Sequence, residues 1–400
     1  MTAPEQLDRE DALSGFRDRF VGATSDLVYF DGNSLGRPLR VTGERLARFV
    51  EAEWGDRLIR GWDEGWLDLP RTIGEELGRV CLGAAPGQTI IGDSTTVLLY
   101  KLMRAAAAAR PGRREIVLDR DNFPTDRYVA AGVAEELGLV LRWIDVDPAA
   151  GVTSEQVAAA VGRDTALVVV SHVAYRSAWI ADLPEITRIS HDAGALVLAD
   201  LCHSAGAVPV ELDDWDVDLA VGCTYKYLNG GPGSPAFGYV AERLLDELVQ
   251  PIRGWMGAAE PFLMGPDYAP ARGIRRLLSG TPPVLGMLAI QDMLALLAEA
   301  GIDAVRAKSV ALTAYAVELA DELLGAAGVG LASPRDPARR GGHVTLIHPR
   351  MREVTAALWK RDVIPDYRDP DGLRIGLSPL STSFTEVARG IDLVREELER

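Results

Sequence analysis

Four hundred residues, 48% of them hydrophobic, can bury a large core and predict two or three domains. A formal charge of −16, from 42 basic against 58 acidic residues, argues against nucleic acid or an anionic membrane as a partner. It leaves room for a local basic site that binds an anionic substrate.

The three cysteines (Cys81, Cys202 and Cys223) have neither metal-ligand spacing nor an even count, which fits a reduced compartment and predicts no metal. The start, Met1 to Glu10, is polar and acidic, unlike a signal peptide, and no apolar run approaches bilayer length. A soluble cytoplasmic protein is expected.

Leu27–Phe30 reads as a short strand entering the turn-rich stretch Asp31–Gly36. Leu46, Phe49, Val50 and Trp54 follow at helical spacing. A further helix runs from Thr95 through an alanine tract to Pro111. Strand and helix then alternate: strand Glu115–Asp119, helix Tyr128–Leu137 closed by Gly138, strand Leu139–Val146, and helix Ser154–Val161 with a serine cap. Ala166–Val170 and Ala195–Ala199 are continuous apolar runs, as strands covered on both faces require, with helix Leu183–Ala193 between them. Leu219–Gly222 and Ala236–Val240 add two more strands. This rhythm predicts an α/β fold, a mostly parallel sheet with helices on both sides. Ligands gather at the carboxyl ends of such strands, where Asp200 and Ser171 stand. Leu285–Ala300 reads as a strongly amphipathic helix crossing to a smaller C-terminal domain. That domain holds helix Ala311–Leu324 and strands at His343–Ile347 and Leu373–Leu377.

The chemistry centres on Lys226, within Thr224-Tyr225-Lys226-Tyr227, and on Asp200, which can end the neighbouring strand. A reactive lysine and a carboxylate for a ring nitrogen are what pyridoxal phosphate needs. Taken singly, each residue reads more readily as a solvated group, a strand-end aspartate and a surface lysine. Thr95 and Thr96 lie where Gly92-Asp93-Ser94 opens a helix, so free N–H groups, the helix dipole and two hydroxyls could hold a phosphate; an ordinary cap explains the same residues. Gly231-Pro232-Gly233 is either a second phosphate approach or a tight turn. In Phe123-Pro124-Thr125-Asp126 the aromatic could stack on a flat ring and Asp126 could add a second carboxylate, while the same residues can start a helix. Arg374 interrupts an apolar strand. Its fork suits a substrate carboxylate, or an internal ion pair with Asp366. His203 could touch the cofactor phosphate or satisfy a core hydrogen bond.

Tyr29–Gly36, Phe123–Asp126, Asp200–Pro209, Val221–Phe237 and Val363–Arg368 together resemble kynureninase, and the likeness runs from about residue 27 to about 385. The resemblance implies a type I pyridoxal phosphate-dependent transferase fold of the aminotransferase class V kind. It also implies a homodimer whose active site is made by both subunits. The expected division is an N-terminal segment (1–50) packing on the small domain, a large cofactor-binding domain (51–285) and a small α+β C-terminal domain (286–400). Lys226 would hold the aldehyde of pyridoxal 5'-phosphate, Asp200 and Asp126 would serve the ring nitrogen, and Phe123 would stack. Thr95, Thr96, Pro124, Thr125, Ser171, His203 and Tyr225 would surround the cofactor, with Trp255 and Thr281 reaching that of the neighbouring subunit. Arg374, with Ser34, would hold the substrate α-carboxylate.

The implied reaction is hydrolysis of the Cβ–Cγ bond of L-kynurenine, or a ring-substituted kynurenine, to anthranilate or its derivative and L-alanine, through an external aldimine, a quinonoid and a ketimine. Tyr225 would move a proton at the carbonyl. The alternative is another pyridoxal phosphate enzyme on this scaffold, an aminotransferase or lyase in a biosynthetic route. A cysteine desulfurase is disfavoured because no cysteine follows Cys223. Three places depart from the family pattern: Leu98 for Asn, Ala174-Tyr175-Arg176-Ser177-Ala178 for Asn-Tyr-Lys-Ser/Thr-Gly, and Met256-Gly257 after Trp255. All are expected at the pocket margin, where they bear on which aryl group is bound.

Overall fold

The computed structural model describes residues 2–400. Its strands, in chain order, are β1 (Val28–Tyr29), β2 (Thr89–Gly92), β3 (Glu115–Asp119), β4 (Val140–Ile144), β5 (Thr165–Ser171), β6 (Leu196–Asp200) and β7 (Leu219–Gly222). The remainder are β8 (Ala236–Val240), β9 (Gly330–Leu331), β10 (His343–Ile347), β11 (Val363–Ile364), β12 (Asp366–Arg368) and β13 (Gly372–Gly376). Seven form one sheet in the order β2-β8-β7-β6-β5-β3-β4. It is parallel from β7 to β4, and β8 runs antiparallel to both β7 and β2. The expected mostly parallel α/β sheet is therefore present. β6 and β7 are buried along their whole length, because helices cover both faces. β2 escaped the sequence reading: four residues, Thr-Ile-Ile-Gly, are too few to show a period.

Several helices differ from expectation at their ends. Tyr128–Leu137 begins four residues earlier, as Pro124–Leu137, with Phe123 at the N-cap, so the tetrapeptide does start a helix. The helix expected to carry a serine cap is capped by Thr153, which forms a reciprocal capping box with Gln156; Ser154 is its first helical residue. Helix Val284–Ala300 is not strongly amphipathic. Met287, Leu288, Ile290, Met293, Leu294, Leu296 and Leu297 are all buried, and the helix packs into the core beneath the large sheet. The next helix, Ile302–Leu324, begins nine residues earlier than expected. Val305, near its start, joins that same core, whereas Leu312 to Leu324 join a second core under the C-terminal sheet. It is this helix that links the two cores.

The C-terminal sheet has the order β12-β13-β10-β9 and is antiparallel. The N-terminal segment touches both cores. β1 pairs in parallel with β11, and the Asp8 carboxylate accepts the Phe384 N–H (2.7 Å), capping helix Phe384–Glu399. Leu13, Phe20 and Leu39 instead enter the core under the large sheet. Among the described residues no single helix is long and apolar enough to cross a membrane.

Candidate active site

Parallel pairing places the ends of three strands side by side, with Ser171 opposite Asp200 and Asp200 opposite Val221. Lys226 lies four residues beyond the end of β7, in the loop that returns over these ends. Its Nζ is 3.0 Å from His203 Nε2 and 5.8 Å from the centroid of the Phe123 ring. One Asp200 oxygen accepts the Cys202 N–H at 2.7 Å. Phe123 is held edge-on by Tyr175 (5.3 Å between centroids) and by Asn122, whose Oδ1 accepts both the Phe123 N–H (2.7 Å) and the Ser171 hydroxyl (2.9 Å).

Asp126 is buried in the first turn of helix Pro124–Leu137, and its Oδ2 has no partner. Burial, then the charges of Asp200 and Asp119, push its carboxyl well above the usual range, with Lys226 opposing them. Two carboxylates facing one volume, with an oxygen unpaired, an aromatic face alongside and an amine within reach, suit a flat cationic ring bearing an N–H. The residues present therefore fit pyridoxal phosphate. Burial, aided by Lys226 and Arg374, holds His203 well below the usual imidazole range, so it is neutral. Burial and the neighbouring Cys223 push the Tyr225 hydroxyl up, so it keeps its proton.

Thr95 and Thr96 are the first two residues of helix Thr95–Ala108, where backbone N–H groups have no carbonyl of their own helix to meet. Ser94 takes the cap role by accepting the Val97 N–H (3.4 Å). The capping role thus falls to Ser94 and not to Thr95 or Thr96.

Arg374 is almost wholly buried in β13, opposite Asp366 of β12. It donates to the Tyr175 carbonyl (2.6 Å), to Ser34 Oγ (2.9 Å) and to the Asp366 carboxylate. The internal ion pair is real, but Asp366 is shared with Arg368 at 2.8 Å, and Arg374 Nε has no partner. Asp366 sits between the two guanidiniums, and a second carboxylate, Asp31, lies near both and bonds Ser34. Trp255 and Thr281 are both exposed, and neither has a hydrogen bond or ring contact to the Lys226 cluster of its own chain. Thr281 borders an apolar groove of about 390 Å³ with Trp54, Trp62 and Trp66.

The departures separate. Leu98 is in a separate core on the opposite face of the large sheet, against Gly238, and not at the pocket margin as expected. Met256 is likewise buried. Tyr175 and Arg176 do stand at the margin, with Arg176 paired to Asp121 at 3.3 Å. Ala178, where the pattern has glycine, takes a left-handed backbone at φ +65°. Sequence reasoning missed Asn122 and His343. The latter is fully buried with its ring 5.4 Å from that of His203, and nothing in a strand of alternating residues distinguishes it.

A seven-stranded sheet with this lysine, aspartate and helix start defines the type I fold of pyridoxal phosphate enzymes. Solved structures agree on that fold: a cysteine desulfurase from Thermococcus onnurineus NA1 superposes with a TM-score of 0.82 over 100% of this chain and 99% of its own at 18% identity. A C-DES mutant with glycine covalently linked to its PLP cofactor gives 0.84 over 95% and 99%, also at 18% identity. Sequence is more specific. The model of the DegT/DnrJ/EryC1/StrS aminotransferase family matches residues 91–210, and that of the Kynureninase C-terminal domain matches residues 305–394. A kynureninase from Pseudomonas fluorescens is 41% identical over 98% of this chain and 94% of its own. One from Burkholderia pseudomallei (strain 1106a) is 42% identical with the same coverage. The chain belongs to the kynureninase family.

Proposed function

We propose that this chain is a pyridoxal 5'-phosphate-dependent hydrolase that cleaves the Cβ–Cγ bond of L-kynurenine, or a ring-substituted kynurenine, to anthranilate or its derivative and L-alanine. The observation that carries the reading is full-length kinship with kynureninases at 41–42% identity in a chain whose Lys226, Asp200, Asp126 and Phe123 converge on one volume. Bound there, the cofactor supplies an electron sink for the substrate α-carbon and then for a bond one carbon further out. Lys226 holds its aldehyde and, once released, takes the α-proton, with neutral His203 at 3.0 Å to receive its hydrogen bond. Asp200 and Asp126 keep the ring nitrogen protonated, and Phe123 covers the ring. Thr95 and Thr96 bind the phosphate, and Pro124, Thr125 and Ser171 border the ring. Arg374 and Ser34 orient the substrate α-carboxylate. Tyr225, protonated at neutral pH, serves the γ-carbonyl as a proton donor.

Trp255 and Thr281, exposed on their own chain, complete the site of a second copy in a homodimer. We read the chain as an N-terminal segment to residue 50, a large unit and a smaller one to 400, and as a cytoplasmic enzyme; the boundary expected at 285 moves past helix Val284–Ala300, which packs into the large unit's core. Two cores joined by helix Ile302–Leu324 support the two larger units. Limited proteolysis would test that division.

The function is tested by mass spectrometry of the products from purified protein, pyridoxal phosphate and L-kynurenine, alongside 3-hydroxykynurenine. Anthranilate or its hydroxylated form, one-for-one with alanine, is expected. A keto acid in place of alanine would mean transamination, and no cleavage of either substrate would refute the reading.

A further inference from the structure

Lys101 has no exposed surface, although it lies only six residues beyond Thr95 on helix Thr95–Ala108. An ammonium has three protons to donate. Here each has an acceptor: the Asp93 carboxylate at 2.5 Å, the Leu277 carbonyl at 2.6 Å and Ser279 Oγ at 2.7 Å. The Ser279 hydroxyl also lies 3.2 Å from Asp93, closing the knot.

The acceptors lie in two segments, and each segment leads to a different part of the site. Asp93, in a left-handed backbone at φ +48°, forms the turn that presents Thr95 and Thr96. The Ser279 carbonyl accepts the Met256 N–H at 3.2 Å, which fixes the turn carrying Trp255. That contact has no slack: a Cβ on Gly254 would lie 2.1 Å from the Ser279 carbonyl oxygen. Thr281 stands two residues past Ser279. For stability alone an apolar side chain of this length would fill the space as well, since a buried ion pair seldom outperforms one. What the ammonium adds is a fixed relation between two segments that are remote in sequence, the turn at Asp93 and the stretch from Leu277 to Ser279.

We propose that Lys101 is a positioning residue that locks the phosphate turn of one subunit to the two residues, Trp255 and Thr281, which the same subunit presents to its neighbour's cofactor. Each Lys101 then serves two active sites. The inference rests on the two-subunit reading above.

The test begins with the wild-type protein, by sedimentation and by spectral titration with pyridoxal phosphate. A monomer with full cofactor affinity would overturn both the two-subunit reading and this proposal. A dimer that binds cofactor isolates the proposal. Ser279→Ala, which keeps the Lys101–Asp93 pair, is then expected to fold and dimerise while its cofactor dissociation constant rises about tenfold, the scale of one hydrogen bond to a charge. Lys101→Met is expected to lose more. An unchanged constant in folded Ser279→Ala overturns the proposal.

Two hybrid dimers separate a shared role from a local one. In the first, a Lys101→Met subunit pairs with a Lys226→Ala subunit. In the second, both changes sit on one subunit beside a wild-type partner. The one intact Lys226 site has its own Lys101 replaced in the first hybrid and its neighbour's in the second. Weakened cofactor binding at that site in both is expected, and weakening in only one overturns the shared role. Should Lys101→Met not fold, Ser279→Ala takes its place in both hybrids.

Discussion

Gly36 gives a direct measure of how tightly the lysine loop is held. Its N–H donates to the Tyr225 carbonyl at 2.8 Å, so the two backbones run in contact just before Lys226. A Cβ added there would lie 2.4 Å from the Lys226 carbonyl oxygen and 2.5 Å from the Asn229 amide group. Neither neighbour can swing away. Asn229 donates its own N–H to that Lys226 carbonyl at 3.0 Å and its Nδ2 to the Arg37 carbonyl at 2.7 Å, from a left-handed backbone at φ +48°. Restoring a tolerable 3.0 Å requires a backbone shift of about 0.6 Å. Overpacking of this kind costs about 1–3 kcal/mol of stability. A misplacement of about 1 Å costs roughly a hundredfold in rate, so the smaller shift at Lys226 should cost roughly tenfold. Gly36→Ala should therefore melt lower and show kcat reduced about tenfold, read by anthranilate formation at saturating cofactor. A variant that keeps both kcat and melting temperature would refute the claim that this contact sets the position of Lys226.

Other outcomes follow from the same geometry. Lys226→Ala should retain its circular dichroism spectrum and lose turnover; full activity would mean the role assigned to Lys226 is wrong. Arg374→Ala should chiefly raise KM, by about a hundredfold, because a buried, hydrogen-bonded charge partner is lost, with Asp366 still neutralised by Arg368. Arg374→Lys should rescue little of this, since a point charge cannot span Tyr175 O and Ser34 Oγ; recovery of KM would argue against recognition by the fork. Burial, aided by Arg306, lowers the His172 imidazole from 6.5 to about 4. Between those values the unfolded chain binds a proton that the folded chain refuses, so stability is complete above pH 6.5 and falls as pH drops toward 4. The loss by pH 5 is about 2 kcal/mol. His172→Gln should flatten that limb in urea unfolding at pH 5 and 7.5, and an unchanged difference would exclude His172 as its source.

What the sequence disclosed follows the physics of each element. β5 and β6 carry the continuous apolar runs Ala166–Val170 and Leu196–Ala199 because they are covered on both faces, so they and the residues at their carboxyl ends, Ser171 and Asp200, were legible. The lysine loop was legible because an unusual run of residues surrounds a reactive amine. Helix Val284–Ala300 misled because periodicity reports one buried face, whereas this helix is buried on most of its circumference. Asn122 was invisible for a different reason: its work is to accept from Phe123 and Ser171, a contact between sequence neighbours and a strand 49 residues away that no local pattern records. Leu98 was misplaced because a departure from a family pattern says that a position changed, not which way its side chain points.

The helical spacing of Leu46, Phe49, Val50 and Trp54 bears on the proposed two-subunit site. Phe49 is buried, yet Val50 and Trp54 remain 45% and 49% exposed, so a regular apolar stripe is left half in solvent. The local structure explains part of this: the helix widens into a π-type turn over Phe49–Gly55, which rotates the following side chains off the stripe. It does not explain why apolar residues persist where they face water. Trp54 borders the groove beside Thr281, and Leu263 and Met264, among the most exposed apolar side chains, line the hollow next to Trp255. The two residues proposed to reach a neighbour's cofactor are thus each set in an apolar surface of their own chain. A second copy placed to receive Trp255 and Thr281 would cover both surfaces at once, and the hydrophobic gain from covering them would come from the same contact that completes the site.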